Sequence, residues 1–298
     1  MEDEELFLKY HEIEKKIIPI KDLLENSKDR REYKGLYKGI TTVQSPLVFQ
    51  PEILFIGRNP GDEDYNSLNP AENHTPLRMI GADEMGLNQL SWYEKGNSRA
   101  GKNIWKKWVE YEWYQRNQKT NNPLAKNMID LLYEVAKLKF PKEYKHQKYH
   151  HNKAPFWYED FGKKIMYTNL YPIASSTIND LNQIHRSLAI EKDLQHLWEE
   201  SRNNEKYLNN WTVRKYFIKR VEELIDLIQP KIIVCIGITA LNDLTYSDNT
   251  GSKIYLKEKR SGDLKIPLLG FSRRGNRRGQ WNGLIPQLAR EIVENQIR

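Results

Sequence analysis

Four short apolar runs, rich in β-branched residues and almost unbroken, constrain this chain most: residues 53–57, 165–169, 232–237 and 266–270. A strand with one wet face alternates apolar and polar residues, whereas continuous runs of this length fit strands covered on both faces, as in a parallel sheet. Helical periodicity falls between and around them, at 103–114, 125–138, 213–228 and 284–297. This order predicts an α/β chain built on a mostly parallel, four-stranded sheet. Polar, aromatic and basic segments at 62–100, 140–161 and 175–211 exceed ordinary connections in length and read as helical or loop insertions over the strand ends. With residues 1–50 as a helical N-terminal extension, the expectation is a single domain over 1–298.

Composition narrows the partners. Lys and Arg outnumber Asp and Glu by 47 to 40, a net charge of +7; that suits a polyanion without identifying one. Cys235 is the single cysteine and sits inside the third apolar run, which rules out an internal disulfide and a cysteine-held zinc or iron–sulfur centre. The segment MEDEELFLKY carries no basic-then-apolar leader, and no run reaches the ~18 apolar residues of a membrane span. The sequence therefore predicts a soluble, cytoplasmic protein with no membrane, no cofactor, no metal and no obligate protein partner.

In open parallel sheets ligands bind beyond the carboxyl ends of the strands. Four segments qualify: GRNPGDED (57–64), TNLYP (168–172), GITAL (237–241) and GFSRRGNRRGQW (270–281). In the first, Asn59 stands at the strand end, Pro60 fixes the backbone and Gly61 permits a tight turn; the same residues also make ordinary turn punctuation. His146, His150 and His151 cluster in KEYKHQKYHHNK. Without a fourth ligand on a rigid scaffold they fit a nucleic-acid groove better than a zinc site.

Taken in order, these motifs resemble the uracil-DNA glycosylase superfamily. GRNPG (57–61) is similar to its Gly-x-Asn-Pro-Gly motif, SRAGKNIWKKW (98–108) to the Gly-Arg-Ala-Gly-Lys helix start of its iron–sulfur branch, and TNLYP (168–172) to the strand whose Asn reads the base. The stretch 224–241 is similar to its Pro-to-Gly-x-x-Ala strand and helix. The resemblance spans roughly residues 50–290 and implies a three-layer αβα sandwich. It also implies that a nucleotide is flipped from single- or double-stranded DNA into a pocket and its N-glycosidic bond hydrolysed.

On that resemblance Asn59 orients the attacking water, and Asp62 and Asp64 either supply a nearby carboxylate or are solvated turn acids. Gly57, Arg58, Pro60 and Gly61 line the pocket. Asn169 either reads the base edge or caps its turn, and Trp92 or Tyr93 either stacks on the base or packs in the core. Ser272 retains the Ser of the family's His/Asn-Pro-Ser motif, while Gly270 stands at its His or Asn, the side chain that stabilises the leaving base. Lys102, Arg273, Arg274, Arg277 and Arg278 are the expected phosphate contacts. The departure at Gly270 and the long 62–100 segment point to a modified pyrimidine, such as a hypermodified base of phage DNA, rather than plain uracil. Two other readings stay open: a catalytically silent DNA or damaged-base binder, and a different α/β enzyme acting on nucleotides.

Overall fold

A computed structural model of the chain describes residues 1, 3–27, 29–37, 39–40, 42–43, 47–59, 123–146, 161, 164–175, 177–199, 209–251, 254–272, 281 and 283–296. In chain order the elements are α1 (Asp3–Lys15), α2 (Ile18–Asn26), β1 (Gly39–Ile40), β2 (Ile53–Gly57), α3 (Pro123–Lys139), α4 (Pro141–His146), β3 (Ile165–Asn169), β4 (Ile173–Ala174) and α5 (Ile178–Ile190). A 3₁₀ turn (Lys192–Leu194) follows, then α6 (Gln195–Glu199), α7 (Asn210–Ile228), β5 (Ile233–Cys235), α8 (Ile238–Thr245), β6 (Ile254–Ser261), β7 (Leu264–Phe271) and α9 (Ile285–Gln296). The described chain divides into two compact units, one from residues 1–43, 58–59 and 169–227, the other from 47–57, 123–168 and 228–296.

The second unit holds a mixed five-stranded sheet in the order β3-β2-β5-β7-β6. Strands β2 and β5 pair in parallel, as do β5 and β7, and every residue of β2, β3 and β5 is buried. That explains their unbroken apolar composition. The α/β class expected from the sequence is therefore present, but among the described residues the sheet has five strands rather than four. The added strand β6 runs antiparallel to β7 and its residues alternate in exposure, the pattern of a half-wet edge. Its lysines and arginine discourage pairing with another chain. Ser261 pairs with Leu264, so the connecting loop is Gly262–Asp263, and Gly262 takes the left-handed φ of +57° that a two-residue hairpin turn requires. Helix α3 packs on α9, and α8 and α9 pack on β7. The N-terminal end of β2 is fixed by Glu52, whose carboxylate bonds Lys139 at 2.9 Å and also Lys231. Burial of Glu52 opposes its ionisation, but these two ammonium groups prevail and hold its pKa below the usual value.

The first unit is mainly helical, with β1 and β4 as a small antiparallel pair. Leu6, Tyr10, Ile13, Ile17, Ile20 and Leu24 are buried at helical spacing along α1 and α2, as are Leu181, Ile184 and Leu188 of α5 and Val213, Phe217, Val221 and Leu224 of α7. Burying each of these side chains contributes about 1.5–3 kcal/mol before chain entropy is counted. Local signals set the helix starts. Thr177 Oγ1 accepts from Asp180 N at 3.1 Å while Asp180 Oδ2 accepts from Thr177 N at 3.0 Å, a capping box that opens α5. Asn209 Oδ1 accepts from the amides of Trp211 and Thr212 at 2.7 and 3.2 Å, capping α7. Pro230 follows the end of α7 and prevents its continuation. Among the described residues no helix is long and apolar enough to cross a membrane.

Candidate functional site

Gly57 ends β2 and is buried; Arg58 and Asn59 follow and are half-buried. Asn169 ends β3 and is fully buried. The two segments that carry the asparagines are tied together within the first unit: Tyr171 N donates to Arg58 O at 2.9 Å. Asn59 Nδ2 donates to Ser175 Oγ at 3.3 Å, and Ser175 Oγ donates to Thr177 O at 3.0 Å. Because the serine hydroxyl spends its proton on Thr177, its oxygen is an acceptor toward Asn59. The relay points the Asn59 nitrogen at Ser175 and turns the amide oxygen away from it.

Asn169 is held from behind. Arg220 Nη2 donates to Asn169 O at 2.9 Å, and Arg220 Nη1 bonds Glu14 Oε1 at 2.8 Å. Both side chains of this pair are 1% exposed. Tyr10 OH and Thr42 Oγ1, at 2.9 Å, pack in the same buried polar group. Burial raises the pKa of Glu14 and outweighs the pull of Arg220; burial raises that of Tyr10 as well, with Glu14 adding to it. Helix α1 is thus linked through Arg220 to the backbone of Asn169 at the end of β3.

Beside this network stands His185 of α5, 0% exposed. Its ring lies edge-on to Tyr171 with centroids 5.2 Å apart, and 5.7 Å from Phe217. Burial, with the charges of Arg214 and Arg58 adding to it, pulls its pKa down from 6.5 to about 3. His185 is therefore a neutral imidazole in the folded protein. The unfolded chain takes up its proton near pH 6.5 and the folded chain does not until near pH 3, so this group's contribution to stability is complete above pH 6.5 and falls as pH drops through that window. Wild type is expected to lose about 1.4 kcal/mol per pH unit from His185 between pH 6 and 4. His185→Leu removes this component, so urea melts of the two proteins across that range should diverge in slope; parallel curves would mean that the ring is protonated in the fold.

Ser272 follows β7 and is buried, next to Phe271, whose ring meets Trp281 edge-on at 4.8 Å. Gly270 lies inside β7, paired with Cys235 and Tyr255. A Cβ at this position would stand 2.7 Å from Cβ and Cδ2 of Leu241 on α8. The glycine thus has a packing cause, the close seating of α8 on the sheet, and a His or Asn would not fit without moving that helix. Gly270→Ala is expected to lower stability by about 1–3 kcal/mol through overpacking. A urea midpoint equal to wild type would show that α8 gives way freely.

Pro60, Gly61, Asp62, Asp64, Trp92, Tyr93, Lys102, Arg273, Arg274, Arg277 and Arg278 lie outside the described residues, as do His150 and His151; His146 ends α4. The structure adds Ser175, Tyr171, His185, Arg214, Arg220 and Glu14 to the groups around Asn59 and Asn169. The local sequence signal beside them is the capping-box spacing of Thr177 and Asp180, which opens α5. No protein-family model matches the chain, and no curated protein sequence matches it either.

Proposed function

We propose that this chain is a monofunctional DNA glycosylase that flips a uracil-like or modified pyrimidine out of DNA and hydrolyses its N-glycosidic bond. The observation that carries the reading is the joining of the two asparagine-bearing strand ends by the Tyr171 N to Arg58 O hydrogen bond. It places in one unit the two amides that the motif resemblance assigns to water and to base.

In this reading Asn59 accepts a hydrogen bond from the water, its amide kept in orientation by Ser175 and Thr177. Water oxygen bonds to C1′ of the sugar as the C1′–N bond breaks, and the pair of electrons leaves with the base, which takes a proton. A sugar with oxocarbenium character needs little nucleophilic help, so a positioned carboxamide is sufficient. Asn169, with a donor and an acceptor on a short stem, suits the Watson–Crick edge of the extruded base. The excess of basic residues suits the DNA backbone. A second reading, a DNA-binding homologue without base release, draws on the complete burial of Asn169, which leaves its amide covered.

The test is to incubate duplex and single-stranded DNAs, each carrying one modified pyrimidine, and to treat them with alkali. Breaks at the modified position that require the protein are the expected result. Intact DNA throughout, with binding retained, supports the silent binder.

A further inference from the structure

The start of α5 and the Asn59 amide belong to one chain of hydrogen bonds inside the first unit. Asp180 Oδ2 accepts from Thr177 N at 3.0 Å, and Asp180 N donates to Thr177 Oγ1 at 3.1 Å. Thr177 O then accepts from two directions, from Leu181 N at 3.1 Å and from Ser175 Oγ at 3.0 Å. Ser175 Oγ in turn accepts from Asn59 Nδ2 at 3.3 Å. The carboxylate at one end of this chain belongs to a half-exposed residue, whereas Ser175 is buried.

Apolar burial does not hold this turn. Thr177, Ile178 and Asn179 are exposed, and the first buried side chain of the helix is Leu181. The capping box therefore has a large share in keeping the turn closed, and losing such a cap shifts the balance between a closed and a frayed helix start by about 2- to 30-fold. The state of the turn reaches Asn59 through the serine, because a hydroxyl has one proton. While Thr177 O takes it, the serine oxygen can only accept, and the amide meets it with its nitrogen, whatever else the amide touches. Once Thr177 O withdraws, the hydroxyl is able to donate, and the opposite amide orientation, with Oδ1 toward the serine, becomes competitive.

We propose that Asp180 is a positioning residue for Asn59: by closing the capping box it keeps Thr177 O within reach of Ser175 and so selects which end of the Asn59 amide faces the serine. Its consequence for base release rests on the glycosylase reading, in which Asn59 Oδ1 accepts from the water. The coupling of the helix cap to the amide does not rest on that reading.

The test follows the side-chain NH2 signal of Asn59 in the full chain by NMR, assigned by its loss in Asn59→Ala, together with hydrogen exchange at Leu181 N–H. In Asp180→Ala, exchange at Leu181 is expected to speed up by about 2- to 30-fold, and the Asn59 signal to leave its wild-type position. Asp180→Glu, which keeps a capping-box acceptor, should restore both. Asn209→Ala removes the cap of α7 instead and should leave the Asn59 signal in place. On DNA from which the wild-type protein releases a base, Asp180→Ala should slow release by about the same factor, with DNA affinity unchanged. An Asn59 signal unmoved in folded Asp180→Ala would overturn the proposal, and so would an equal response in Asn209→Ala, the mark of general loosening. If no DNA yields free base, the glycosylase reading fails, while an Asn59 signal moved by Asp180→Ala and restored by Asp180→Glu still establishes the coupling.

Discussion

Asn59→Ala is expected to reduce the single-turnover rate of base release by ~10²–10⁴-fold, the range for losing a positioned group that handles the reacting water, while DNA affinity stays close to wild type. The amide is held by Ser175 through a 3.3 Å hydrogen bond and is not part of the buried apolar core, so its removal should leave the fold intact. Binding and release must be measured on the same DNA. Loss of both together would make Asn59 a structural residue, and full activity would remove it from the mechanism. Ser175→Ala separates the two roles further: it removes the serine's hydrogen bond to the amide, so the rate should fall while melting behaviour changes little.

The largest stability effect is expected at Arg220. Arg220→Ala leaves the Glu14 carboxyl buried without its cationic partner, beside Tyr10 and Thr42, and removes a donor from the Asn169 carbonyl. Breaking a fully buried pair by removing one partner typically costs about 3–5 kcal/mol, and that is the loss expected in urea unfolding. Glu14→Leu combined with Arg220→Met replaces both charges by apolar groups of similar size and should recover most of the deficit. Recovery of stability without recovery of base release would identify Arg220 as a positioning residue for Asn169. An Arg220→Ala protein as stable as wild type would show that water replaces the guanidinium.

What the sequence discloses follows from how strongly each feature is patterned. The strands at 53–57 and 165–169 match β2 and β3 residue for residue because unbroken β-branched runs between turn signals have few other uses. The helices expected at 125–138, 213–228 and 284–297 correspond to Pro123–Lys139, Asn210–Ile228 and Ile285–Gln296, with ends displaced by caps such as Asn209. Strand β6 carries no apolar run, since Lys257, Glu258, Lys259 and Arg260 fill its second half, although Gly262–Asp263 is a hairpin signal. Its strand character comes from pairing with β7, a tertiary effect.

At the candidate site Asn59 and Asn169 were visible because a turn motif frames each. Glu14 and Arg220 were not, since they are 206 residues apart and a buried Arg on an amphipathic helix looks like a surface one until its partner is known. His185 occupies a core-facing position of α5 among Leu181, Ile184 and Leu188, where nothing in the sequence distinguishes a histidine with a task from one that fills space. Gly270 was legible as a departure from the motif that this segment resembles, but its cause, contact with Leu241, belongs to packing that no local pattern records.

The most direct measurement is single-turnover release of free base, with the product identified chemically, from DNA carrying uracil and from a panel carrying substituted cytosines. The glycosylase reading, with Gly270 in place of a donor to the leaving base, expects slow or absent release of uracil and faster release of at least one substituted pyrimidine, since contacts to extra substituents can lower the barrier at the glycosidic bond. DNA that is bound while no free base appears from any substrate would contradict it.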